Sequence, residues 1–161
     1  MPWQSLAYLL PVVPATVLAI SDLRHRTVPV SWLTAFGLCV LLPSVFLSSV
    51  GTILYNMLTN MLLLIWVFGG AWIYLKLRYR RPSSLLRQYV GSGDLIFALL
   101  LTPLAPLQHY LFLLLAGCLA GLFYWLVVRV VVQRETTIPL VTFLSLPLTA
   151  YLSYRFYLSL P

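Results

Sequence analysis

The sequence predicts an all-α membrane protein, a bundle of six transmembrane helices forming one domain over residues 1–161. Three observations carry that prediction. Hydrophobic residues make up 61% of the chain and charged residues 8%, with a mean hydropathy of +0.97, so its helices or sheets lack the polar face that water requires. Several apolar runs approach the roughly 20 residues that cross a hydrocarbon core as a helix. Backbone groups in lipid must be bonded within the protein, which favours helices over open sheets. Finally, Lys and Arg fall between the apolar runs, mostly at alternate connections.

The six segments are expected at about 6–22, 31–50, 52–75, 92–107, 109–132 and 137–158. The first contains Pro11 and Pro14 and the fourth Pro103 and Pro106, so kinks or shortened helices are expected there. No soluble linker, internal repeat or low-complexity tract interrupts them. No Lys or Arg precedes Arg24, so the basic start of a cleavable signal peptide is missing and the first segment is expected to stay in the mature protein.

The cations set an orientation. Arg24 and Arg26 follow the first segment, Lys76, Arg78, Arg80, Arg81 and Arg87 the third, and Arg129 and Arg134 the fifth. If all six segments cross, these nine share one side, and short cytoplasmic loops collect Lys and Arg. Only Arg155 falls toward the other face, where both termini would lie. The formal charge of +7 is therefore assigned to anionic lipid headgroups and not to nucleic acid, since no single basic face with stacking aromatics is present.

Other residues have plain readings. Cys39 and Cys118 lie inside apolar runs without Cys-x-x-Cys spacing, which points to core thiols and to neither a zinc site nor a disulfide framework. His25 and His109 are placed at opposite faces and cannot share a metal. Glu135 precedes the sixth segment, where it can compensate the helix dipole or pair with Arg134. Gly117 and Gly121 form a small-xxx-small face suited to close helix packing within the bundle. The Tyr and Trp content fits interfacial belts.

Two aspartates stand out. The expected topology puts Asp22 at the cytoplasmic end of the first segment and Asp94 at the cytoplasmic start of the fourth, at one depth. Asp94 suits the first turn of a helix, where the macrodipole favours a carboxylate. Asp22 meets the unfavourable end of a helix dipole, and packing does not call for an acid there. Read without a motif, the pair is open to two interpretations: boundary carboxylates among headgroups, or groups that perform catalysis or relay ions. Gly91 and Gly93 bracket Ser92 just before Asp94, and glycine allows positive φ or a close backbone approach. Pro29 follows Val28 at the start of the second segment, where a missing N–H does no harm.

Asp22 with Val28-Pro29, then Gly91-Ser92-Gly93-Asp94, then Ile138-Pro139 with Phe143 and Leu144, resemble in order the pattern of the type IV prepilin peptidases, membrane aspartyl proteases of the GxGD group. The resemblance runs from about Val17 to Ala150. It implies a peptidase with Asp22 and Asp94 as the catalytic pair and with Gly91, Gly93, Pro29 and Pro139 shaping the site. It also implies hydrolysis without metal or other cofactor. The substrate would be a prepilin or pseudopilin-like membrane protein, cut between its basic leader and its hydrophobic helix at the cytoplasmic face of the inner membrane.

The chain departs from the pattern at Val30, Ile96 and Val141-Thr142, where the family commonly has Asn, Lys and Gly-Pro. The Cys-x-x-Cys region that accompanies methyl transfer in larger members is missing, so the resemblance is to the short, peptidase-only form and N-methylation is not expected. Two competing readings remain at this point. One is a small transporter or channel component in which the aspartates relay protons or bind a cation; it leaves the glycine pair and the two Pro elements unexplained. The other is an inactive homologue serving as an assembly scaffold.

Overall fold

The computed structural model describes residues 6–79, 91–132 and 138–159. Among them are six α-helices: α1 (Val12–His25), α2 (Val30–Leu47), α3 (Val50–Tyr79), α4 (Ser92–Leu100), α5 (Leu107–Val132) and α6 (Leu140–Leu158). A short 3-10 turn at Ala7–Leu9 leads into α1. The stretches Ala7–His25, Val30–Leu47, Val50–Arg78 and Leu107–Val130 are long and apolar enough to cross a membrane by length and composition. The protein is an all-α membrane protein. Leu77 and Trp66 are nearly four-fifths exposed, as expected for side chains with lipid as their solvent. Arg80, Arg81, Arg87, Arg134 and Glu135 lie outside the described residues.

Helix directions follow from the contacts at each end. The Arg155 guanidinium lies over the Tyr8 ring, 5.5 Å from its centroid, while at the other end of the same helix pair Thr142 reaches Asp22. Helices α1 and α6 are therefore antiparallel. Gly117 of α5 packs on Leu144 of α6 and Gly121 packs on Ile138 just before it, so α5 and α6 are antiparallel too. An added Cβ would lie 2.6 Å from Leu144 at Gly117 and 2.9 Å from Ile138 at Gly121, which makes the small-residue face a contact inside the bundle. Helices α2 and α4 run together: Phe36 stacks on Phe97 at 4.6 Å, and Leu100 fills the space left by Gly37.

Local chemistry sets the ends. Arg26 closes α1 in the left-handed region, at φ 55° and ψ 29°, and its N–H bonds to the Asp22 carbonyl. The Ser21 hydroxyl donates to the Thr27 carbonyl across the same turn. Pro29 and Pro139 each stand immediately before a helix, and their carbonyls accept from Leu33 and Phe143, so neither ring removes a needed donor.

The fourth segment differs from its expected form. A helix over 92–107 would be one continuous rod, but α4 ends at Leu100 and turns occupy 101–105. Nine residues rise only about 14 Å, well short of the roughly 30 Å hydrocarbon core. Pro103 and Pro106 cannot continue the amide ladder, so carbonyls are left free inside an apolar bundle. Asn60 of α3 compensates: its Nδ2 donates to the Thr102 and Ala105 carbonyls, both at 2.8 Å. Its side chain is fully buried. The buried Tyr110 hydroxyl donates to the Ala98 carbonyl in the same region. Broken backbone is tolerated at membrane depth where protein groups satisfy it in this way.

Asn60→Leu keeps the volume and removes both donors. We expect it to lower stability by about 1–3 kcal/mol, toward the lower end because a membrane-embedded unfolded state finds alternative partners. Thermal unfolding in detergent measures this, with Thr59→Val, on a partly buried side chain one position away, as the control of small effect.

Candidate active site

The two aspartates meet. Asp22 occupies the last turn of α1 and is 7% exposed, while Asp94 sits in the first turn of α4, half-buried. Although 72 positions separate them in sequence, the charge of Asp22 acts on Asp94. The link between them is the N-terminus of α6. The Val141 backbone N–H lies within reach of both carboxylates. Thr142 donates to Asp22 Oδ2 from its backbone N–H at 3.2 Å, and its hydroxyl lies 3.3 Å from the same oxygen.

This arrangement answers the dipole problem of Asp22. At the end of its own helix it meets orphan carbonyls, but its side chain faces the free N–H groups opening α6, where a carboxylate is favoured. Arg26 adds an attractive charge from the adjacent turn. Asp94 has the favourable end of its own helix, and its N–H and that of Leu95 both donate to the Gly91 carbonyl.

The glycine pair serves space and not unusual dihedrals, since no described glycine has positive φ. A Cβ on Gly91 would stand 2.8 Å from Asp94 Oδ2. One on Gly93 would stand 2.7 Å from Cγ2 and 2.9 Å from Cβ of Val28. The Gly-Ser-Gly-Asp turn thus packs directly on the Val28-Pro29 turn. Ile138, Phe143 and Leu144 play a supporting part: Ile138 and Leu144 fill the Gly121 and Gly117 notches, and the Phe143 ring lies 5.2 Å from that of Tyr124.

The model of the type IV leader peptidase family matches residues 9–126, well over half of the sequence. The chain belongs to this family. Its members are proteases of the aspartic type, so the family match and the convergence of two carboxylates bear on one chemistry. The matched stretch takes in Asp22, Val28-Pro29 and Gly91 to Asp94, and stops before Ile138. No curated protein and no solved structure matches the chain.

Of the residues expected at the site, Asp22, Asp94, Gly91 and Gly93 are brought together, and Pro29 and Pro139 set the turns that deliver Val28 and Val141. Ile96, the departure two residues after Asp94, is an exposed side chain on α4. His25 closes α1 beside this site, whereas His109 lies against Tyr151 near the opposite end. Among the described residues, no three His, Cys, Asp or Glu side chains cluster as metal ligands would. The direct contact of Thr142 with Asp22 had no signal in the sequence beyond its departure from the family pattern.

Proposed function

We propose that this chain is an aspartic endopeptidase of the cytoplasmic membrane that removes the basic leader of prepilin-like proteins at the cytoplasmic face. The observation that carries the reading is the convergence of Asp22 and Asp94 on one backbone amide, that of Val141. Six membrane segments and a single domain over residues 1–161 complete the proposal.

Two close carboxylates cannot easily both ionise, so the pair shares one proton. The ionised member takes a proton from water as its oxygen attacks the scissile carbonyl carbon, while the other gives its proton to the carbonyl oxygen. A tetrahedral diol results. Proton return to the leaving nitrogen and collapse of the diol break the C–N bond, releasing a free amine on the mature protein and a carboxyl group on the leader. No covalent enzyme intermediate forms. Gly93 lets the Val28 turn close on the turn that carries Asp94, and Gly91 leaves space for the Asp94 carboxylate itself, while a basic leader suits a site built on a pair of acids.

The site end is assigned to the cytoplasm from charge. Lys76 lies over Trp72 and Arg129 over Trp125, at 4.9 and 4.8 Å, in the last turns of α3 and α5. Such aromatic and basic pairs anchor helix ends among anionic headgroups. A cysteine replacing Arg87 should therefore be labelled by an impermeant reagent only from the cytoplasmic side, and one replacing Ser49 only from outside. The reverse pattern would invert the topology.

The enzymatic test uses purified protein in detergent and a synthetic prepilin-like substrate with a basic leader and an apolar helix. One cut at the leader boundary is expected by mass spectrometry. An intact substrate alongside measurable proton or cation flux in liposomes would favour a relay instead.

A further inference from the structure

We infer that Thr142 is a positioning residue of the aspartate pair: it ties Oδ2 of Asp22 to the first turn of α6 and so presents the other oxygen to Asp94 and the attacking water. The inference rests on the peptidase reading and answers what this departure from the family pattern does.

Two contacts from one residue converge on one oxygen, the backbone N–H at 3.2 Å and the hydroxyl at 3.3 Å. The N–H contact would form with any residue but proline. The hydroxyl is specific to Thr or Ser, and it also lies 2.9 Å from the Ala19 carbonyl, one turn before Asp22 on α1. A hydroxyl has one proton to donate and two lone pairs. With Asp22 ionised, it can donate to Oδ2. With Asp22 protonated on Oδ2, it can accept from the acid while sending its own proton to Ala19. Thr142 therefore offers Asp22 a partner in both protonation states through which the catalytic cycle passes.

The burial of Asp22 gives this contact its weight. At 7% exposure, beside the fully buried Leu18 and Val141, the carboxylate has little solvent to orient it. Among the described residues, the charged groups near it are Asp94 from α4, on which the Asp22 charge acts, and Arg26 in the turn after its own helix, which attracts it. Neither charge fixes a rotamer as a pair of directed contacts from one residue does. The Thr142 side chain is itself held on three sides, by its bond to α1, by the helix it opens and by Asp22.

The test compares Thr142→Val, which keeps shape and N–H but loses the hydroxyl, with Thr142→Ser, which restores it. With the synthetic prepilin-like peptide, Thr142→Val should lower kcat about ten- to a hundredfold, as expected when a reacting group is held slightly out of place. KM should stay within about twofold, since remote substrate binding is untouched. Thr142→Ser should recover most of kcat. Parental kcat in Thr142→Val, an equal loss in both variants, or a loss confined to KM would each overturn the inference.

A second readout does not need activity. Infrared spectra of protein carrying isotope-labelled aspartate identify the Asp22 carboxyl band by its loss in Asp22→Asn. That band should move in Thr142→Val and return in Thr142→Ser. A shifted band in a protein that cleaves nothing would sink the peptidase reading and leave the Thr142 contact standing. An unmoved band would overturn the inference whatever the activity.

Discussion

Replacing either Asp22 or Asp94 by Asn should lower the cleavage rate on the order of 10³-fold or more, because each acid both takes and gives a proton during the cycle. Asn keeps the shape and removes the titratable group. The double replacement should add almost nothing to either single one, since groups that act as a unit contribute non-additively. Expression and thermal stability should change little in Asp94→Asn, whose carboxylate is half-buried at a helix start. Asp22→Asn should lose somewhat more stability, as Thr142 and Val141 donate to this side chain. A relay would behave differently, with each variant losing ion flux in a parent that shows no proteolysis. Initial rates for the parent, both singles and the double form a complete cycle.

Gly93→Ala should cost about a hundredfold in kcat although alanine introduces no charge and a single methyl. The new Cβ would stand within 3.0 Å of two Val28 atoms, one of them Val28 Cβ, which side-chain rotation cannot remove. Either α4 or the turn carrying Val28-Pro29 must shift. Overpacking of this kind costs about 1–3 kcal/mol, and a displacement near 1 Å at a reacting group can cost about a hundredfold in rate. Val28→Ala removes the closest atom, Cγ2, and leaves Cβ, so combining it with Gly93→Ala should recover activity in part. Gly70→Ala, at a glycine with nothing within 4 Å of the added methyl, should leave the rate unchanged. Equal rates for the Gly93 and Gly70 variants would mean that the turn does not position Asp94.

Much of the architecture was legible because lipid simplifies the problem. Apolar runs between basic connections become helices, and the observed ends lie within a few residues of the expected ones except where α1 begins only at Val12, behind a 3-10 turn, where α3 runs on to Tyr79 and where α4 stops at Leu100. The prolines at 103 and 106 marked the break but not its repair. The signal for the repair was Asn56 and Asn60, two amides one turn apart in an otherwise apolar run, of which Asn60 reaches carbonyls more than 40 positions away.

The site divides in the same way. Asp22, Asp94 and the glycine pair are spelled out by short spacings that a sequence displays. What the glycines do was open between positive φ and close approach, and the Gly93 contact with Val28 decides for approach. Thr142 could not be read as a partner of Asp22. The two are 120 positions apart, and their contact exists only because α1 and α6 pack antiparallel with the start of one beside the end of the other.

The measurement that bears most directly on the account joins the two aspartate positions covalently. Cysteines replace Asp22 and Asp94 in a chain with Cys39 and Cys118 changed to Ser, and a protease site is placed in the connection between α3 and α4. After treatment in membranes with a short bifunctional thiol reagent and cleavage of that connection, the two fragments should remain joined. A control pair at Asp22 and His109, at opposite ends of the bundle, should release them. Fragments that separate in the Asp22 and Asp94 pair, with both cysteines shown to be reactive, would contradict a shared catalytic site.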